Sequence, residues 1–141
     1  MPSLNPEISS LKVSSTLNKN TKEFGKKYLT DNNPDTCWQS DKSENDTQSI
    51  QINFEEENPV KIKEFKINFQ GGFAAKKIKI ICQDSNSENS ERIFNPVDSN
   101  KMQVFYFDEL EGLSFKVILS ECTDFYGRVI IYHLELVGES L

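Results

Sequence analysis

The stretch Ile50-Gln51-Ile52-Asn53-Phe54-Glu55-Glu56-Glu57-Asn58-Pro59-Val60-Lys61-Ile62-Lys63-Glu64-Phe65-Lys66-Ile67-Asn68-Phe69 decides the fold. Ile50, Ile52 and Phe54 alternate with Gln51 and Asn53. A strand points successive side chains to opposite faces, so period-two alternation marks a sheet with one dry face and one wet face. Glu55 to Pro59 breaks the run with residues that end strands, and Val60 and Ile62 restart it. Phe65, Ile67 and Phe69 then continue one residue out of step, which is how a β-bulge reads in sequence. Outward from this core, similar runs cover Ile78 to Cys82, Met102 to Phe107, Phe115 to Leu119 and Val129 to Val137. The separators are Gln70-Gly71-Gly72, Asp84 to Ser90, Asp108 to Gly112 and Asp124 to Gly127. Short strands with turns between them and no long amphipathic helix predict an all-β sandwich or barrel. A chain of 141 residues supports one core, so the expectation is a single domain over residues 1–141. A short helical turn is expected near Lys22 to Leu29. Asn18 to Gln48 reads as a long ordered loop of the kind that carries function, anchored by Phe24, Tyr28, Leu29 and Trp38.

Composition narrows the function. Twenty-two acidic against sixteen basic residues leave a net charge of −6, which excludes general affinity for phosphate backbones and with it direct nucleic-acid binding. The basic residues cluster at Lys19, Lys22, Lys26 and Lys27 and at Lys76, Lys77 and Lys79, read either as solvated faces or as a site for an anion or acidic partner. Ten Phe, four Tyr and one Trp predict an aromatic-rich core. Met1-Pro2 is followed by polar residues rather than a secretory signal, and no apolar run approaches the ~20 residues of a membrane helix. Three cysteines without paired spacing, Cys37, Cys82 and Cys122, suit a reducing compartment. Nucleus or cytoplasm, and not secretion, is the expected location. Catalytic motifs are missing, and His133 is the single histidine. On alternation it shares a face with Ile131 and Glu135 and reads as structural, while Cys37 reads as a small core residue. The chain is therefore expected not to be an enzyme.

Leu29-Thr30-Asp31-Asn32-Asn33-Pro34-Asp35-Thr36-Cys37-Trp38 resembles the early loop of discoidin, or coagulation-factor C-type, domains, and Ile131 to Gly138 resembles their closing strand. Ser14 to Thr21, Phe24 to Lys27, Phe69 to Phe73 and Thr123 to Leu134 resemble one cytosolic and nuclear branch, the small nuclear-receptor-associated proteins. The resemblance implies a galactose-binding-like jelly-roll β-sandwich of roughly eight strands. It implies a non-enzymatic protein-interaction module whose partner is a nuclear receptor, held off its DNA element by a repressor, or a large assembly such as a ciliary complex in which the chain is a scaffold. Carbohydrate binding, or anionic-membrane binding, through the loops at the sandwich end are the alternatives. Those loops are Asn18 to Tyr28, Gln39 to Gln48 and Gln70 to Lys77. The implied partner-binding residues are Phe24, Lys26, Lys27, Gln70, Phe73, Lys76 and Lys77, with Tyr126 and Arg128 from the turn before the closing strand. Phe73 either projects as an anchor or folds back on the core, and Arg128 pairs with Asp124 or receives an acidic group. The resemblance also points to structural calcium at Asp31, Asn33 and Thr36. Where the family has a further Glu ligand this chain has His133, a poor partner for Ca²⁺, and the loop can instead cap itself. No other cofactor is expected.

Overall fold

The computed structural model describes residues 2–84 and 90–141. The strands are β1 (Ile8–Val13), β2 (Trp38–Gln39), β3 (Thr47–Phe54), β4 (Val60–Phe69), β5 (Ala75–Cys82), β6 (Glu91–Phe94), β7 (Gln103–Gly112), β8 (Ser114–Cys122) and β9 (Ile130–Ser140). They form two antiparallel sheets, ordered β1-β3-β8-β5-β6 and β2-β9-β4-β7, packed face to face as a jelly-roll sandwich.

The deciding stretch supplies the middle of both sheets. Ile50, Ile52 and Phe54 from β3 and Val60, Ile62, Phe65, Ile67 and Phe69 from β4 are buried in one common core. Phe54 meets Phe115 of β8 edge-on, ring centres 6.0 Å apart, the favoured geometry for aromatic quadrupoles. The expected bulge lies between Ile62 and Glu64, where the register shifts against both neighbours, β7 and β9. One extra residue there returns Phe65 to the dry face.

Several expectations need correction. Asp108 to Gly112, expected as a separator, is strand and completes β7, because its pairing with Val60 to Ile62 continues past the polar residues. Asn18 to Gln48 is only partly loop: it holds a helix, α1 (Thr21–Phe24), a 3-10 turn at Lys26–Leu29, β2 and the start of β3. His133 does not share a face with Ile131. A second bulge sets Asn68 opposite His133 and Phe69 opposite Ile131, so Ile131 enters the core while His133 stays outside with Glu135. Most of the Asp84 to Ser90 loop lies outside the described residues.

Gly138 of β9 marks a close approach of two backbones. A Cβ there would fall inside contact distance of the Lys61 carbonyl on β4. Gly138→Ala should therefore push β9 from β4 and cost about 1–3 kcal/mol, seen as a lower urea midpoint at unchanged slope.

Candidate functional site

One end of the sandwich is organised by Gln48, whose side chain is 1% exposed. It occupies the inward position just before Ile50 in β3, where the core gives way to loops. Its Oε1 accepts from Ser14 Oγ (2.6 Å) and Ser15 Oγ (3.0 Å), and its Nε2 donates to the Asp41 carbonyl (2.7 Å) and the Gly127 carbonyl (3.0 Å). Three loops, those after β1, after β2 and before β9, thus meet on one amide. Further bonds add to them: Trp38 Nε1 donates to the Ser15 carbonyl (3.0 Å), and Ser40 exchanges backbone and side-chain bonds with Val129. A buried polar group is costly unless paired, so each bond fixes the loop that supplies its partner.

Arg128 is the centre of the surface these loops present. Its Nε and Nη2 donate to Asp124 Oδ2 (2.8 Å) and Oδ1 (3.1 Å), a bidentate pair. The guanidinium also lies 5.4 Å from the ring centres of Phe73 and of Tyr126. Phe125, 92% exposed, meets Tyr126, 56% exposed, edge-on at 5.2 Å. Beside them a cleft of about 200 Å³ is lined by Leu17, Asp41, Lys42, Tyr126 and Arg128. The turn is set by Asp124, which also accepts from the backbone N–H groups of Tyr126 and Arg128, and by Gly127 at φ +73°, where a Cβ would strike the Ser43 carbonyl. The Arg128 hydrogen bond, joined by these N–H groups and opposed by burial, holds the Asp124 carboxyl below the usual aspartate range. The resulting arrangement is a fixed, largely neutralised guanidinium framed by aromatic rings and hydrogen-bonding groups, suited to non-covalent recognition.

The residues named from sequence fall into separate places. Phe73, Tyr126 and Arg128 are brought together. Phe73 is half-buried with its ring toward Arg128, and its loop is held by Asn100 and Asp98, which accept from the Gly71 and Gly72 N–H groups (2.6 and 2.8 Å). Gln70 is turned to β9, accepting from the Tyr132 hydroxyl (2.8 Å). Lys76 is exposed, and Lys77 lies on β5 opposite Ser120. Phe24 is half-buried in α1, while Lys26 and Lys27 line a different cleft with Lys12. The sequence reading missed Phe125, the most exposed aromatic of the cluster, and Gln48, which alternation marks as inward-facing but whose partners are distant in the chain.

The loop at Asp31, Asn33 and Thr36 uses its own oxygens. Thr36 Oγ1 donates to Asp31 Oδ2 (2.5 Å), and the N–H groups of Asn33 and Asp35 bind Asp31 Oδ1 and Asn33 Oδ1 (3.1 and 3.0 Å). Ca²⁺ takes six to eight oxygens, roughly 2.3–2.6 Å away. Of the three implied residues Asp31 alone brings a carboxylate, already engaged by Thr36, and the neighbouring His133 is paired to Glu135 (3.0 Å). The donor set does not fit a calcium ion. Among the described residues no cluster of three His, Cys, Asp or Glu side chains suits a metal. Burial, with Asp46 adding to it, pushes the Cys122 thiol up to about 12, which leaves it protonated and a poor nucleophile at neutral pH.

The F5/8 type C domain model matches residues 10–129, and the chain belongs to that family of binding domains. At the level of individual proteins, it is 39% identical over 131 residues to the zebrafish (Danio rerio) protein named nuclear receptor 2C2-associated protein, covering 91% of this chain and 89% of the relative. The human protein of that name is 36% identical over 135 residues, covering 92% and 91%. Among solved structures, a Clostridium perfringens CBM32 module in complex with GalNAc-β-1,3-galactose superposes with a TM-score of 0.74 at 17% identity, covering 97% of this chain and all of that one. A family 32 module from the same organism, in complex with galactose, gives 0.71 at 16% identity over 95% and 96%. These likenesses establish the galactose-binding-like fold.

Two outcomes follow from this geometry. Gln48→Ala leaves the Asp41 and Gly127 carbonyls without their donor and should cost about 2–4 kcal/mol in denaturant unfolding, with broadened loop-end NMR signals. The folded-state pKa of Asp124 is depressed, so the unfolded chain binds the extra proton and the pair's stability is lost as pH falls through and below the usual aspartate range. Melting temperature followed against pH should decline less steeply there for Asp124→Asn than for the wild type.

Proposed function

We propose that the chain is a non-enzymatic protein-interaction module that grips its partner with the aromatic and Arg128 cluster at the loop end. The observation that carries this reading is Phe125 and Tyr126, two exposed rings on a turn made rigid by the Asp124–Arg128 pair. Exposed aromatics and arginine on a preorganised support supply most interface energy, because little freedom is lost on binding. The relatives' names support a nuclear receptor as the partner, and repression of receptor binding to DNA is the form of action proposed here.

The test is direct. Purified chain should retain human nuclear receptor 2C2 in surface plasmon resonance, and Phe125→Ala/Tyr126→Ala, which removes exposed side chains only, should weaken binding by about 2 kcal/mol or more. Micromolar receptor that fails to bind, or binds both forms alike, would overturn the reading.

A second reading rests on the small cleft, where the Tyr126 ring stands beside Asp41, Lys42 and Arg128. A ring face with flanking polar groups suits a sugar, and structural neighbours hold galactose and GalNAc. Titration with either sugar to millimolar concentration, read on the Tyr126 and Arg128 amides, separates the two.

A further inference from the structure

We infer that the outer face of the five-stranded sheet is a second docking surface, built for an acidic, extended polypeptide segment. Strand register places Lys12, Gln51, Lys116 and Ile81 in one row across β1, β3, β8 and β5. The next row holds Ser49, Ile118 and Lys79, and the third Thr47, Ser120 and Lys77. Two open clefts adjoin the rows and share Lys12 and Val13. One, of about 440 Å³, runs over Ser14, Ser49, Gln51 and Lys116; the other, of about 530 Å³, reaches past Thr16 and Thr21 to Lys26 and Lys27.

Six lysines therefore line one continuous surface on a chain whose net charge is −6. The rows and the residues lining the clefts hold no carboxylate among the described residues; Glu91, beyond Ile81 on β6, and Glu23, in α1 beside Lys26 and Lys27, stand at the margin. None of the six lysines forms an ion pair with a described carboxylate. The opposite face is arranged differently: Lys61 and Lys63 pair with Glu109 and Glu139 at 3.0–3.7 Å. Like charges gathered without counter-charges repel one another, and a ligand that brings carboxylates relieves that repulsion.

Chemistry and size favour a peptide over other polyanions. The three intervals from β1 to β5 span about 14 Å, the reach of about four to five extended residues. The Ser49 hydroxyl and the Gln51 Oε1 add groups able to pair with a peptide backbone, while Ser14 is held by Gln48 and Asn53 by Ser10 and Ser114. No exposed aromatic is available there for base stacking, and exposed Ile93 of β6, opposite Lys79, with half-buried Ile118 offers little apolar area for membrane insertion.

A fluorescein-labelled peptide of about eight Glu, Asp and Ser residues is the probe, titrated by anisotropy into the full chain. Binding should weaken as salt rises from about 50 to about 300 mM. Lys12→Glu/Lys116→Glu should weaken it about tenfold or more, while Lys66→Glu/Lys101→Glu, with the same change of charge elsewhere, should not. Backbone amide shifts in the wild type, which need no variant, should move at Lys12, Gln51 and Lys116. Phe125→Ala/Tyr126→Ala should retain the peptide, so failure here and failure of the loop-end reading are distinguishable. The inference is overturned by no binding at millimolar peptide, by equal loss in both charge variants, by shifts elsewhere, or by oligothymidylate or phosphatidylserine vesicles binding more tightly than the peptide.

Discussion

Everything at the working end of this sandwich depends on burying one amide. Gln48 sits where the alternation of β3 would next place a hydrophobic side chain, and a leucine there would fill the space without calling for any partner. An amide inserts two donors and an acceptor into the end of a dry core, and each is met by a different piece of chain: the two serines after β1, the Asp41 carbonyl and the Gly127 carbonyl. Leaving one of them unpaired costs about 1–3 kcal/mol, enough to offset the ordering of one or two residues, so each bond anchors the residue that supplies its partner and the loop-to-loop bonds of Trp38 and Ser40 add to it. Gly127 is the matching constraint from the other side. It delivers its carbonyl to Gln48 from a left-handed conformation, in a space that Ser43 closes to any side chain.

That chain of dependence explains what the sequence makes legible. Residues 50–69 show the sheet, the bulge and the dry face, because alternation is local and its break at Ile62 to Phe65 is visible as a missing step. The family is legible from Leu29 to Trp38 and from Ile131 to Gly138, which frame the chain. β1 is not legible: a register shift between Ile8 and Ser10 breaks its alternation, so Ile8, Leu11 and Val13 reach the core without a regular period. β2 is two residues long and has no period at all. The bulge at Tyr132 inverts the face of His133 and is not legible, because nothing in the composition of Ile131-Tyr132-His133 distinguishes a regular from a bulged strand. The site is legible as residue types, Phe73, Tyr126 and Arg128, but not as an assembly, since Gln48 joins positions up to 79 residues apart.

The two outer faces and the loop end divide charge in different ways, and the division bears on what each can recognise. At the loop end Arg128 is met by Asp124 through two hydrogen bonds and faced by Phe73 and Tyr126, so its charge is largely spent and its direction fixed. Such a group selects by shape and by where its rings lie, and it changes little with ionic strength. The four-stranded face pairs Lys61 and Lys63 with Glu109 and Glu139, which at that exposure contributes little stability but sets an opposite charge beside each. The five-stranded face does neither. Its lysines meet no ion-pairing carboxylate among the described residues, and neighbours such as Lys77 and Lys79 stand close enough that their potentials add within a Debye length of about 8 Å. A fixed aromatic grip at one end and a long-range field on one flank are complementary means of binding. In the two readings proposed above, the field gathers and orients a charged partner before contact, and the rings decide which partner stays.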